Sequence, residues 1–381
     1  MQTCIRQINS VHSSYFLCCK LLTKISRTVT LPCENLSSSS NKYQLNKTTN
    51  KNISNEADNV DVIDNYTEVP IEVRSVKQAG KDIVLNLNVR TVHKSNGQRS
   101  QPVVLALHGM PGDASDFEKL SYELANHGIK FITPDFPGCG KSKVLPDRHV
   151  FNIDYSPVGK ADMLTRILDK LEIDKVDVLI SHSAGSYLGF RAAAELDRIK
   201  SAVFLNFLGG KPHRYARPFK LLQLNAKLMK LPGLQSLYVS LLPRVYQAIG
   251  FSKYDAQPLQ VAIQNVATAE YEKILEHAET IKQKKKPVVF AWATTDKIVE
   301  IDIPYKIIRH VGIKDSHIIK LCRENRTKEM NDQLSKMEEN DQLKDWYFRA
   351  IQFDRGGHLL QKNQVPELTK HIIDLIKHLQ K

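Results

Sequence analysis

The chain has 381 residues, long enough to bury a large core, and its 42% hydrophobic and 25% charged residues are the balance of a globular protein. No stretch approaches the about 20 uninterrupted apolar residues of a membrane span, which argues against an integral membrane protein. The formal charge of +13 is spread along the whole chain and gives no support to nucleic-acid binding.

The first 33 residues hold Arg6, Lys20, Lys24 and Arg27 among many Ser and Thr, and no acidic residue precedes Glu34. This composition resembles a mitochondrial transit peptide, so the expected address is mitochondrial, with the cytoplasm as the alternative. A secretory reading of Tyr15 to Cys19 fails because Lys20 cuts the apolar run short of the roughly 7 residues a signal needs. Four of the six cysteines lie in this stretch, so there is no disulfide framework. Neither a Cys-x-x-Cys pair nor a His-Glu-x-x-His helix is present, so no metal and no cofactor is expected. Residues 35 to 62 are rich in Ser, Asn and Lys and read as a disordered linker. The division is therefore an N-terminal segment over 1–62 and one folded domain over 63–381.

From Tyr66 to Lys77 and from Asp82 to Val92 apolar and polar residues alternate, with Leu85, Leu87 and Val89 set against Asn86, Asn88 and Arg90. These predict two half-buried antiparallel strands. Continuous apolar runs follow at Val103 to Leu107, Phe131 to Phe136, Val176 to Ile180 and Ala202 to Phe207, as expected of parallel strands buried on both faces. Ser115 and Glu118 have the spacing of a capping box, and Ser156-Pro157 opens a second helix. Two more strands, Pro287 to Ala293 and Trp346 to Phe353, flank a helical stretch, and a helix near Glu367 to Leu379 ends the chain. The order predicts an α/β fold with a mostly parallel, doubly wound sheet. Two segments stand outside it: a helix-rich stretch at about 209–282, read as a cap, and a charged excursion at about 323–344.

The run Val176 to Ile180 leads into Ser181-His182-Ser183-Ala184-Gly185, the pattern of a nucleophile elbow. A serine on a sharp strand-to-helix turn needs small neighbours two before and two after it, and Ser181 and Gly185 are small. A helix beginning at Ala184 would aim free N–H groups at an oxygen becoming negative. Upstream, Val103 to Leu107 ends in His108-Gly109-Met110-Pro111-Gly112, and Asp135-Phe136-Pro137-Gly138-Cys139-Gly140-Lys141-Ser142 follows the next strand. The latter ends in Gly-Lys-Ser, but a phosphate loop needs Gly where Asp135 stands, so nucleotide binding is rejected. Downstream, Thr294-Thr295-Asp296-Lys297 and Asp354-Arg355-Gly356-Gly357-His358 each end a strand, in the chain order Ser, acid, His.

With these motifs residues 65–381 resemble the α/β-hydrolase superfamily, serine type, in the branch with His-Gly-x-Pro and Gly-Gly-His-x-x-Gln. The resemblance implies an α/β-hydrolase fold with a helical cap insertion. It assigns the nucleophile to Ser183, the base to His358 and the orienting acid to Asp296, with Asp302 and Asp354 as fallback acids. It places the oxyanion-hole N–H groups on Met110 and Ala184, and gives His108 a turn-stabilising part. The chain departs from Gly-x-Ser-x-Gly at Ser181. Epoxide hydrolases and haloalkane dehalogenases of this branch use an aspartate nucleophile, and Ser183 argues against both chemistries.

A serine nucleophile implies an acyl-enzyme, and a small-molecule carboxylic or lipid ester is the expected substrate. Cap residues such as Leu222, Leu228 and Leu231 would line an acyl pocket, while Lys220, Lys227 and Lys230 would permit peripheral membrane contact. Two alternatives stay open: a silent hydrolase fold that binds a ligand or partner, and a serine-dependent carbon–carbon bond hydrolase. The sequence does not set the oligomeric state.

Overall fold

The computed structural model describes residues 62–76, 82–95, 101–145, 147–231, 233–248, 255–322 and 345–381. The expected transit peptide and linker, up to residue 61, and the charged excursion at 323–344 lie outside the described residues.

Alternation along β1 (Val62–Arg74) and β2 (Asp82–Lys94) folds them into an antiparallel pair, in register from Val62 opposite Lys94 to Arg74 opposite Asp82. Seven shorter strands extend the sheet: β3 (Val103–Leu107), β4 (Lys130–Pro134), β5 (Val178–His182), β6 (Ala202–Leu205), β7 (Val288–Ala293), β8 (Ile318–Leu321) and β9 (Phe348–Phe353). The order is β1-β2-β4-β3-β5-β6-β7-β9-β8, and every pairing from β4 to β8 is parallel. This is the mostly parallel sheet of an α/β-hydrolase fold.

Helix α1 (Glu118–Asn126) carries the chain from β3 back to β4, and α2 (Pro157–Lys170) and α3 (Ser186–Glu195) lead the other way, to β5 and β6. Right-handed crossovers therefore put α1 on one face and α2 and α3 on the other. The direction reverses at β3, so the carboxyl ends of β3 and β5 border the crevice where open α/β sheets hold ligands.

Helix α4 (Phe219–Leu228), α5 (Leu234–Ala248), α6 (Ala256–Ala267) and α7 (Tyr271–Gln283) fill the predicted cap. The first three share a small core of Ala226, Met229, Tyr238, Leu242, Leu259 and Ile263 with Phe151. By contrast α7 buries Ile274, Ala278 and Ile281 in the main core and serves as the crossover to β7. The cap thus ends near Ala267, not 282, because helical periodicity alone cannot tell a lid helix from one that covers the sheet. The chain closes with α8 (Asp302–His310), the short α9 (Leu360–Asn363) and α10 (Val365–Leu379). No helix among the described residues is long and apolar enough to cross a membrane.

Three local expectations change. Edge strand β8 was not expected: four residues interrupted by the exposed Lys320 are too short to show a period. The capping box at Ser115 gives way to a 3-10 turn over Ala114–Phe117, in which Asp113 accepts from the Ser115 amide at 2.8 Å. Arg90, placed on the polar face by alternation, is only 2% exposed. Ser156 caps α2 as expected, accepting from the Gly159 amide at 3.1 Å.

Arg90 is buried because Asp64 on the neighbouring strand takes its guanidinium with both oxygens, each at 2.9 Å. The Tyr122 hydroxyl on α1 donates to the same carboxylate at 2.7 Å. Burial pushes the Asp64 carboxyl up, but the hydrogen bonds from Arg90 and Tyr122 outweigh it and hold it below the ordinary carboxylate value. Its contribution is therefore present above the unfolded-state pKa of about 3.9 and is lost as pH falls through the lower folded value. Replacing Asp64 with Ala leaves the buried Arg90 without a carboxylate partner; urea unfolding at pH 7 is expected to show a loss of about 3–5 kcal/mol.

Candidate active site

β5 ends at His182, and Ser183 follows with a φ of 50°, in the left-handed region that residues with a Cβ avoid. A 3-10 turn over Ser183–Gly185 then runs into α3, so the helix proper starts at Ser186, two residues later than expected. The turn is secured by the Ser186 hydroxyl, which donates to the Ser183 carbonyl at 2.5 Å and accepts from the Leu208 amide at 2.9 Å.

Close approach dictates the small residues. A Cβ on Gly185 would lie 2.6 Å from the Leu107 carbonyl oxygen and 2.7 Å from that of His108. One on Gly109 would meet the Ser183 Cβ at 3.0 Å. The loop after β3 and the elbow thus touch backbone to backbone, and Met110 and Ala184 both border the cavity beside Ser183. Ser181, where the family pattern has glycine, is accommodated from α3: a Cβ on Gly189 would stand 2.3 Å from the Ser181 Oγ. The missing side chain has moved from the strand to the helix that packs on it.

His358 Nε2 lies 2.9 Å from Ser183 Oγ, and its Nδ1 lies 2.8 Å from Asp296 Oδ2. The other Asp296 oxygen accepts from the Ile298 and Val299 amides at 2.7 and 3.1 Å, which fixes the carboxylate's orientation. Nδ1–H therefore faces the carboxylate and Nε2 is left to accept from the serine hydroxyl. The fold brings together Ser183, Asp296 and His358, each from a loop after a different strand. It does not bring Asp302, which opens α8 and pairs with Lys211, nor Asp354, whose carbonyl accepts from the Thr294 hydroxyl at 2.9 Å.

His108 stabilises the turn, as expected: its Nδ1 lies 2.8 Å from the Gly109 carbonyl, and its Nε2 accepts from the Phe136 amide at 3.2 Å. The Gly-Lys-Ser run has other work than phosphate. Lys141 stacks on the Tyr66 ring at 3.2 Å, and Ser142 Oγ accepts from the Asn88 amide at 2.8 Å. Asp135, in the position a phosphate loop gives to glycine, is buried and accepts from the Ala114 and Lys141 amides at 2.7 and 2.8 Å. Burial raises its pKa.

Sequence reasoning missed two side chains that hold the histidine. Asn206, fully buried at the end of β6, donates to the carbonyls of Gly357 and His358 at 2.9 and 2.8 Å and accepts from the Ala293 amide at 2.9 Å. His182 Nε2 donates to the His358 carbonyl at 2.8 Å, and burial, followed by the charge of His358, holds its pKa well below the usual histidine value. Nothing in the sequence marked Asn206 beyond a polar residue inside an apolar run.

The cavity at Ser183 has a volume of about 90 Å³. Its walls are Met110, Pro111, Ala184, Leu208 and Ile298 below, and Leu222, Ala262, Ile263 and Val266 of the cap above. His213 and Tyr215 stand at its side.

The sheet, the elbow and the serine–histidine–carboxylate relay define an α/β hydrolase. More narrowly, residues 71–378 match the family described as "Alpha/beta hydrolase of unknown function (DUF1057)", and the chain belongs to that family. A 2-hydroxy-6-oxononadienedioate/2-hydroxy-6-oxononatrienedioate hydrolase of Burkholderia vietnamiensis is 23% identical over 274 residues, 67% of this chain and 92% of that protein. A haloalkane dehalogenase of Psychrobacter cryohalolentis is 29% identical over 107 residues, 28% of this chain and 34% of that protein. Among solved structures, a thermophilic esterase of Thermogutta terrifontis superposes with a TM-score of 0.51 at 16% identity, covering 82% of this chain and all of that one.

Gly189→Ala is expected to crowd Ser181 and to destabilise the protein by about 1–3 kcal/mol. Combining it with Ser181→Gly should recover most of that loss, since the two positions share one space. A double-mutant cycle by urea unfolding measures the coupling.

Proposed function

We propose that this chain is a serine hydrolase that cleaves a carboxylic ester with a short acyl group, through an acyl-enzyme on Ser183. The observation that carries this is the relay from Ser183 Oγ through His358 to Asp296, with contacts of 2.9 and 2.8 Å, on a serine held in left-handed backbone. As Ser183 Oγ bonds to the ester carbon, its proton passes to His358 Nε2. The carbonyl oxygen becomes an oxyanion facing the N–H groups of Met110 and Ala184. Asp296 holds the imidazole in the correct tautomer and stabilises its charged form. The C–O bond then breaks, and the departing alcohol takes the proton from His358. Water repeats the sequence: it gives a proton to His358, attacks the acyl carbon, and the acid leaves as the proton returns to Ser183.

Cavity size supports a short acyl group over a lipid one. An apolar cavity of about 150 Å³ is what benzene occupies. The space beside Ser183, about 90 Å³ and open on one side, holds a chain of a few carbons with the cap as it stands.

Carbon–carbon bond hydrolysis uses the same three residues and is favoured by the relative from Burkholderia vietnamiensis. That protein's name specifies a dioate, a dicarboxylate, whereas no Lys or Arg lines this cavity among the described residues. The ester reading therefore has the better support.

A fluorophosphonate probe is expected to label the wild type at one site, with labelling absent in Ser183→Ala and His358→Ala. Asp296→Asn should turn over esters roughly 10³–10⁴-fold more slowly, because the wrong tautomer is then held. A folded wild type that never labels would point to a silent binding protein instead. Among p-nitrophenyl esters, kcat/KM should peak at short acyl chains; a rise toward long chains would refute the assignment made from cavity size.

A further inference from the structure

From Lys211 to Tyr254 the chain carries eight Lys and Arg and no Asp or Glu. Two of these charges are answered within the fold, where Lys211 pairs with Asp302 and Arg217 with Glu300. Arg214, Lys220, Lys227 and Arg244 are exposed, and none of the four joins an ion pair among the described residues.

Helix α4 arranges part of this charge in a pattern. Leu222 borders the cavity, and Ala226 and then Met229 are buried in the core of the cap. The opposite side carries Lys220, Leu224 and Lys227 at i, i+4 and i+7, a spacing that one face of a helix holds in line. Leu231 comes next, in the turn beyond the helix. Leu224 is 51% exposed and Leu231 49%, while the flanking Leu221 and Leu228 are half-buried. Leu228 and Leu231, expected to line an acyl pocket, are both absent from the wall of the cavity at Ser183. A solvated helix face is ordinarily polar along its length, whereas here leucine alternates with lysine.

We propose that this face of the cap rests on an anionic lipid bilayer, with Leu224 and Leu231 entering the headgroup region and Lys220 and Lys227 contacting lipid phosphates. Charge complementarity selects the bilayer: each Lys near such a surface strengthens binding about fivefold. Lysine also suits the geometry, because its stem lies along apolar groups while the ammonium stays among the headgroups. The leucines add the apolar area they withdraw from water. An acidic protein partner would need a complementary shape over a wide area, whereas a bilayer yields to the convex face of a helix. The contact is peripheral, since no described helix is long and apolar enough to cross a membrane. It is independent of the reaction at Ser183 and stands whether or not that serine proves reactive.

The test is cosedimentation of the full chain with vesicles of phosphatidylcholine alone and of phosphatidylcholine mixed equally with phosphatidylglycerol. The wild type is expected to sediment with the anionic vesicles, far less with the neutral ones, and to lose binding as salt rises. Lys220→Gln combined with Lys227→Gln should weaken binding about 30-fold, the product of two fivefold losses. Leu224→Gln combined with Leu231→Gln should weaken it about tenfold. Because these side chains are exposed, both double variants should unfold at the wild-type urea midpoint. A wild type that stays in solution beside anionic vesicles overturns the proposal. So does binding that neither double variant weakens, which places the contact elsewhere in this basic chain. Binding weakened only by the lysine pair overturns it as well, because charge alone then accounts for the adsorption.

Discussion

At Ser183 the backbone rests at a φ of 50°, a conformation that costs roughly 1–2 kcal/mol for an L-residue with a Cβ. It persists because the surroundings leave no alternative. β5 arrives fully buried between β3 and β6, α3 departs packed on the sheet, and the Ser186 hydroxyl ties the Ser183 carbonyl to the start of the helix. On the packed side, Phe190 of α3 stacks on Phe204 of β6 at 4.0 Å, and Phe204 stacks on Phe290 of β7 at 5.1 Å. Aromatic pairs of this kind add about 0.5–1.5 kcal/mol each beyond their burial. The strain of one residue is thus offset by a core that belongs to three strands and a helix.

The same constraint explains why the site is built from glycines and small residues far apart in sequence. Gly185 must clear the carbonyls of Leu107 and His108, and Gly109 must clear Ser183 itself, so the loop after β3 and the turn at Ser183 are in contact. His358 receives comparable treatment. Its carbonyl is held from two directions, by Asn206 and His182, and Gly356 and Gly357 take up the positive φ angles the turn requires. With the main chain fixed there, the imidazole can meet Ser183 and Asp296 together.

The cap contributes closure. Its three helices share a core of their own, and two of them, α4 and α6, border the cavity with Leu222, Ala262, Ile263 and Val266. Gln257 of α6 binds both the amide and the carbonyl of Val144, at 3.2 and 2.7 Å, and so fastens the cap to the loop that follows β4. The outcome is a small, largely apolar cavity with Ser183 and His358 on one side and the cap on the other.

How much of this was legible in advance depends on the range of the interaction. Local patterns carried the strands, the elbow at Ser183 and the turn after β3, because each follows from periodicity or from steric demands within a few residues, whereas the order Ser, acid, His came from the resemblance to the α/β-hydrolase superfamily. Ser183, Asp296 and His358 could thus be named before the structure brought their side chains into contact, and the fold class was open to inference from the chain alone. Arg90 was not, since its burial depends on Asp64 and Tyr122 reaching it from another strand and a helix. Nor was the role of Gly189 beneath Ser181, the grip of Asn206 on the histidine loop, the boundary of the cap at Ala267, or His213 in the cavity wall. Sequence by itself determined which residues could do chemistry and in what order they arrive. Tertiary structure alone decided which of them meet, what holds them and how much room is left, because packing between distant segments leaves no period in the sequence.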